Sequence, residues 1–74
     1  MLRVTLIQAR QKLFDGNATA VVLPGEGGEV SVLDFHIPML CSLTTGVIQI
    51  DEAQFPVRGG VARVDRNVVT ILSR

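Results

Sequence analysis

Aromatic residues are scarce in this chain of 74 residues, which has three Phe and no Trp or Tyr. It therefore lacks the stacking platforms that single-strand nucleic-acid binders use. Its seven basic residues are balanced by seven acidic ones and form no cluster that would neutralise a row of phosphates. Nucleic acid is not an expected partner.

Residues with reactive or metal-binding side chains are equally few, with one cysteine, Cys41, and one histidine, His36. A single cysteine forms no internal disulfide, and one Cys with one His is too small a ligand set for a structural zinc site. The two lie five positions apart, on opposite faces of an extended segment, which argues against a thiol-histidine enzyme. We expect no cofactor, no metal and no catalysis, with Cys41 as a small buried apolar residue.

Long apolar runs are also missing, since the longest are of the size of residues 20–23, against roughly 20 residues needed to cross a bilayer. No charged segment followed by an apolar one opens the chain, so a reducing compartment is expected. Apolar residues still make up 47% of the sequence. A domain this short buries only about 60% of its unfolded surface, so apolar area is left over for a partner.

Short β-branched runs separated by turn signals dominate the sequence and predict an all-β fold. The runs are Val4–Ile7, Ala18–Leu23, Val30–Leu33, Val47–Ile50, Phe55–Arg58, Val61–Val64 and Val68–Leu72. The turn signals are Asp15-Gly16-Asn17, Pro24-Gly25, Gly27-Gly28, Thr45-Gly46, Gly59-Gly60 and Asp65-Arg66-Asn67. Gln8–Phe14 is too short and uncapped for a helix and is interpreted as a loop or edge strand. The sequence thus predicts a single domain over residues 1–74, a small flattened β-sandwich or barrel.

Glycines at positions 25, 27 and 28 suggest a phosphate loop, but Glu29 follows them where a phosphate would sit. A plain turn between strands is the better interpretation.

Glu29 itself is either a solvated charge at the turn or a contact to a partner. His36 is either satisfied by backbone groups or a polar contact to a partner subunit, and the residues alone leave both alternatives open. Gly59-Gly60 predicts a bulge or a close backbone approach.

Several motifs together resemble one family. A hydrophobic-Phe-x-Gly turn at Leu13–Gly16, a Gly-Glu and a His-x-Pro motif, Gly59-Gly60 and an Asn-x-Val-Thr ending at Asn67–Leu72 occur in order. The central motif is carried by Gly28, Glu29, Val30, Val32, Leu33, His36, Pro38, Met39 and Leu40. In this it resembles the N-terminal β-sandwich domain of the epsilon subunit of F-type ATP synthases, whose mitochondrial counterpart is the delta subunit. Ser31, Asp34 and Phe35 depart from the pattern, which more often has Gly, Pro and Gly.

The resemblance implies a non-catalytic rotor subunit of the central stalk that links the gamma subunit to the membrane proteolipid (c) ring and couples ion translocation to ATP synthesis. It implies a peripheral location on the cytoplasmic face of the inner (plasma) membrane, reached only through the complex. It also implies a partner interface, with Glu29 and His36 expected near one another. The interface residues are Glu29, Ser31, His36, Pro38 and Met39.

The family usually continues into a helical hairpin that restrains ATP hydrolysis, and the 74 residues contain no segment for it. We therefore expect these residues to support coupling without that inhibition. The alternative function is a free-standing small β-barrel adaptor that binds a protein by strand addition at an open edge.

Overall fold

The computed structural model describes all residues, Met1–Arg74, and each of its regular elements is a β-strand. The nine strands are β1 Leu2–Gln8, β2 Gln11–Ala18, β3 Val21–Gly25, β4 Gly28–Val32, β5 Met39–Leu43, β6 Gly46–Ile50, β7 Ala53–Val57, β8 Gly60–Asp65 and β9 Val68–Ser73. The chain forms no helix that is long and apolar enough to span a membrane. The predicted all-β class is confirmed.

The strands form one curled sheet in the order β2-β1-β9-β8-β5-β3-β6-β7, with β4 paired to β3. Only β1 and β9 run parallel; the other neighbours are antiparallel. Strands β5 and β3 share only one residue pair, Gly25 with Leu43. At the far ends of the sheet, Phe14 on β2 meets Phe55 on β7 edge to face, with ring centroids 6.0 Å apart. The sheet thus folds over and brings its end strands together, which gives the flattened shape predicted from the sequence.

Alternate residues of the strands face inward and build an entirely apolar core. In β6, Ile48 and Ile50 are buried while Gln49 between them is exposed, as their alternation predicts. Each fully buried aliphatic side chain of this size stabilises the fold by about 1.5–3 kcal/mol. Sixteen residues form the core: Leu2, Val4, Leu6, Ala18, Val21, Leu23, Val32, Cys41, Leu43, Ile48, Ile50, Val57, Ala62, Val64, Val69 and Ile71.

Two of the nine strands, β2 and β5, lie outside the predicted β-branched runs. The turn expected at Asp15-Gly16-Asn17 is wrong: these residues lie inside β2, where Gly16 pairs with Val4 of β1. Edge pairing to β1 overrides the local turn preference. Of the two alternatives for Gln8–Phe14, a loop or an edge strand, the edge strand is found from Gln11 onward. Strand β5 was not predicted, because it contains no β-branched residue and so lacks the signal used for the other strands.

Tight turns connect the strands and follow several of the predicted signals. Glu26 and Gly27 form a two-residue loop between the paired Gly25 and Gly28, which supports the plain-turn interpretation of the glycine-rich segment. The β8–β9 turn at Arg66-Asn67 has φ angles of 52° and 62°, in the left-handed region that short hairpins require.

Gly60 lies where two backbones approach closely, in the pair that it forms with Ser73 of β9. Its φ is +137°, and a Cβ built on it would lie 2.2 Å from the carbonyl oxygen of Leu72. The close approach predicted for Gly59-Gly60 is therefore present, and no side chain fits at position 60 without moving β9.

Polar contacts outside the core fix the ends of the strands. The Asp51 carboxylate accepts hydrogen bonds from the Thr19 and Ala20 backbone N–H groups at 3.0 Å, which ties the β6–β7 turn to the β2–β3 connection. On the outer side of the β1–β2 pair, Asp15 lies 3.2 Å from the Lys12 ammonium and 2.6 Å from the Arg3 guanidinium. The Lys12 hydrogen bond and the charges of both basic side chains hold the pKa of Asp15 below its ordinary value.

Candidate functional site

The predicted interface residues lie on β4, on the loop 33–38 and at the start of β5. Glu29 and Ser31 are two positions apart on β4, so both side chains point to the same, outer face, and both are exposed. Val30 and Val32 point to the opposite face, where Val32 is fully buried. The sequence folds this way because β4 alternates polar and apolar residues after its two-residue turn.

A groove of about 400 Å³ lies between β4 and β5. The glycine turn and Glu29 line one side, and Met39, Leu40 and Cys41 line the other. Cys41 is 8% exposed, so it forms part of the groove floor while packing in the core, as predicted. Its thiol donates one hydrogen bond, to the Ser42 carbonyl oxygen, at 3.6 Å.

Loop 33–38 is held by hydrogen bonds to the β8–β9 turn. The Phe35 N–H donates to Asn67 Oδ1 at 2.7 Å, and Asn67 Nδ2 donates to Asp34 Oδ1 at 3.4 Å. These bonds fix Phe35 with a φ of 63°, an uncommon conformation for a bulky residue. The departures from the family pattern at positions 34 and 35 are thus accommodated by a specific contact to Asn67.

The same loop presents exposed apolar side chains. Phe35 is 89% exposed, Ile37 75% and Leu33 56%, while Leu40 at the start of β5 is 73% exposed. A monomeric protein seldom leaves apolar side chains grouped in this way unless they meet a partner. The predicted interface contained His36 and Pro38 of this loop but none of its exposed apolar residues, although three large apolar residues spaced two apart at 33, 35 and 37 are a signal for such a surface.

His36 lies in this loop and is half-buried. Its Nδ1 is 2.7 Å from the Ile37 carbonyl oxygen, which requires Nδ1 to carry the proton, and its backbone N–H donates to Leu33 at 3.2 Å. These contacts agree with a histidine satisfied by backbone groups, and Nε2 makes no hydrogen bond within the chain.

The structure brings only some of the predicted interface residues together. Glu29 and Met39 share the groove between β4 and β5, and Pro38 with Met39 borders a second depression beside Arg63. His36 lines neither. It follows the end of β4 opposite to Glu29, with about 10 Å of strand between Glu29 and Val32, at roughly 3.3 Å per residue. Glu29 and His36 are therefore not combined in one pocket.

The reactive side chains of the region, Cys41 and His36, are not brought together. Cys41 is buried on β5, whereas the His36 ring bonds within its loop, so no base contacts the thiol. No group of three or more His, Cys, Asp or Glu side chains is placed to hold a metal ion. What the region offers is a surface: a groove with carboxylates at its rim beside an exposed apolar loop.

Comparison with known families identifies the domain. The model of the beta-sandwich domain of the ATP synthase delta/epsilon chain matches residues 1–74. The chain belongs to this family. The resemblance seen in the sequence is confirmed.

Relatives in this family are epsilon chains of ATP synthases. The chain is 37% identical over 79 residues to the epsilon chain of Janthinobacterium sp. (strain Marseille), covering 97% of this chain and 56% of that one. It is 36% identical over 77 residues to the epsilon chain of Bordetella avium (strain 197N), covering 97% of this chain and 55% of that one. The chain thus spans little more than half the length of these relatives.

Solved structures confirm the fold. A chain of the Euglena gracilis mitochondrial ATP synthase (OSCP/F1/c-ring) superimposes with a TM-score of 0.89 at 23% identity, covering 97% of this chain and 49% of that one. A chain of the Tetrahymena thermophila mitochondrial ATP synthase central stalk and c-ring gives a TM-score of 0.77 at 18% identity, covering 97% and 62%. At such identities the likeness is evidence for the fold of the domain.

Proposed function

We propose that this chain is the β-sandwich domain, over residues 1–74, of a central-stalk subunit of an F-type ATP synthase. The observation that carries the proposal is the family match over all 74 residues, with relatives named as epsilon chains at up to 37% identity. The chain itself catalyses no step: it transmits rotation between subunits as a rigid body. The fold supports this role, because a closed apolar core with paired strands resists deformation better than an open or flexible element.

In this proposal the partners are the gamma subunit and the proteolipid ring, and the chain lies at the cytoplasmic face of the inner (plasma) membrane without entering it. The interface is formed by Glu29, Ser31, His36, Pro38 and Met39, extended by the exposed Phe35 and Ile37. Burial of the apolar loop supplies affinity, while the free Nε2 of His36 and the Glu29 carboxylate supply specific polar contacts. As a free-standing adaptor, the chain would have no reason to match an ATP synthase family throughout.

Co-purification tests the partners directly. The chain carries an affinity tag after Arg74, is expressed with the other synthase subunits of its source and is purified from solubilised membranes. We expect gamma and the proteolipid ring to be recovered in stoichiometric amounts. Recovery of the tagged chain without either subunit would contradict the proposal.

A substitution in loop 33–38 distinguishes an effect on partner binding from an effect on folding. Phe35→Ser removes the most exposed apolar side chain of loop 33–38 and leaves the Asn67 contact, which uses the backbone N–H of residue 35. We expect reduced recovery of gamma or of the ring with an unchanged melting temperature. Val47→Ser, at an exposed β6 position remote in sequence from the loop, is the matched control. Equal recovery with both variants would place the interface elsewhere.

A further inference from the structure

Three strands of the sheet, β2, β4 and β7, pair with a single neighbour and so have one open edge each. Proteins commonly block such edges with proline, lysine or a bulge, because an open edge is a template for another strand. Strand β2 carries Lys12 and a register irregularity opposite Leu6 and Ile7, and β7 carries Pro56. Strand β4 has a continuous register, no proline and no lysine. Its one charged side chain, Glu29, repels acidic segments but attracts basic ones, so this edge is the least protected of the three.

The hydrogen-bonding groups on the open edge of β4 follow from its turn. In a two-residue hairpin the closing pair, Gly25 with Gly28, is hydrogen-bonded, and the bonded pairs then alternate. Val30 and Val32 therefore bond to β3, whereas the N–H and C=O groups of Glu29 and Ser31 point away from it. Pro24, which lies opposite Glu29 and has no N–H, fits a non-bonded pair.

Strand β5 offers a second open edge across the groove. Its residues Met39–Leu43 pair with β8, but on the other side only Leu43 pairs with β3. The start of β5 therefore pairs with β8 on one side only, and its unpaired edge faces the groove. The groove between the two strands, about 400 Å³ in volume, is lined by Val30, Met39 and Cys41 on its apolar part.

The negative charge of the groove favours a basic occupant. Glu26 and Glu29 line it, and no Lys or Arg does. The four ion pairs of the chain involve neither carboxylate, so both charges are available to a partner. A bound segment with basic side chains would neutralise them, whereas an acidic segment would be repelled.

We propose that the open edge of β4 binds an extended, basic segment of another protein by strand addition. The segment pairs with the outward N–H and C=O groups of Glu29 and Ser31 and places Lys or Arg side chains beside the groove carboxylates. Its alternate side chains are small and aliphatic and cover Val30, Met39 and Cys41. The groove takes such a segment whether or not the chain works in a rotor, so this proposal and the proposed function can fail separately.

A defined peptide tests the proposal. The probe is a seven-residue peptide of alternating Lys and Val, acetylated and amidated at its ends, titrated into the 15N-labelled 74-residue chain. We expect the amide signals of Glu29 and Ser31 to shift, and their hydrogen exchange to slow by about 10-fold or more at saturation, because these N–H groups gain acceptors. The matching peptide of alternating Glu and Val should bind about 10-fold more weakly or not at all.

Variants of the chain separate strand pairing from charge attraction. Ser31→Pro removes one outward N–H, a position where an edge strand tolerates proline, and should abolish the shifts while the signals of β1 and β9 stay in place. Glu29→Gln should weaken binding about 2- to 5-fold, as expected for a partly solvated ion pair. Glu52→Gln, at an exposed carboxylate of the β6–β7 turn, is the control and should leave binding unchanged.

Several outcomes would overturn the proposal. Undiminished binding by the Ser31→Pro variant would mean that the main chain of β4 takes no part. Equal affinity for the two peptides would remove the role of the carboxylates. Shifts concentrated on β2 or β7 would identify another edge, and dimerisation of the chain through β4 without peptide would make a second copy the occupant.

Discussion

Gly60→Ala should destabilise the fold more than an alanine at any other glycine of the chain. At φ +137° an L residue is strained by about 1–3 kcal/mol. The new Cβ would also lie 2.2 Å from the Leu72 carbonyl oxygen and 2.8 Å from the Ser73 Cα, both backbone atoms of β9. Forcing these strands apart adds about 1–3 kcal/mol, the usual cost of overpacking. The sum is about 2–6 kcal/mol.

This loss is large compared with the whole stability of the domain. At roughly 0.05–0.15 kcal/mol per residue, a chain of this length is stable by about 4–11 kcal/mol. Chemical denaturation monitored by circular dichroism measures the change, and a loss of 3 kcal/mol corresponds to about 12–24 °C in melting temperature. We expect Gly60→Ala to be partly unfolded at room temperature or to melt far below the parent chain.

Two other glycines provide matched controls, because they separate backbone strain from the clash. Gly28 has a φ of +130° but nothing within 4 Å of its added Cβ, so Gly28→Ala should cost only the strain. Gly27 has neither a φ in that range nor a neighbour within 4 Å, so Gly27→Ala should be close to neutral. If Gly60→Ala costs no more than Gly28→Ala, the argument from the close approach of β8 and β9 is refuted.

Three further predictions concern polar and aromatic contacts. Asp51→Ala should lower the free energy of unfolding by about 0.5–1.5 kcal/mol in denaturant titration, because two exposed backbone N–H groups exchange the carboxylate for water, whereas Glu52→Ala should change little. The pKa of Asp15, followed by NMR, should lie below the ordinary value of an aspartate. Because the folded pKa is lowered, the stabilising contribution of Asp15 should be present above the unfolded-state pKa of about 4 and lost as the pH falls through the folded pKa, a loss that Asp15→Asn abolishes. In a double-mutant cycle of Phe14→Leu and Phe55→Leu, the changes in the free energy of unfolding should show a coupling of about 0.5–1.5 kcal/mol. Additive changes would exclude a contribution from the edge-to-face contact.

Most of the fold was predictable because the core residues alternate with polar ones along β-branched strands. Ile48 and Ile50 show this pattern, and Asn67 marks the turn before β9. The errors have local causes. Asp15-Gly16-Asn17 has the composition of a turn, yet β1 pairs along it and makes it an edge strand. Strand β5 has alternation, with Cys41 and Leu43 inward, but no β-branched side chain to signal it.

The candidate site was predictable only in part. Motif resemblance selected Glu29, Ser31, His36, Pro38 and Met39, which lie on one continuous segment, but proximity in sequence does not determine which of them share a pocket. The groove that joins Glu29 to Met39 depends on the short pairing between the end of β3 and the end of β5, a long-range pairing that no local pattern encodes.

Coupling in the assembled enzyme tests the central claim most directly. The synthase of the source organism is reconstituted into vesicles with and without this chain, and the ratio of ATP-driven ion pumping to ATP hydrolysis is measured in both. A rotor element that links gamma to the proteolipid ring should raise this ratio several-fold when it is added. An unchanged ratio, with the chain bound to the complex in stoichiometric amounts, would contradict the claim that it transmits rotation.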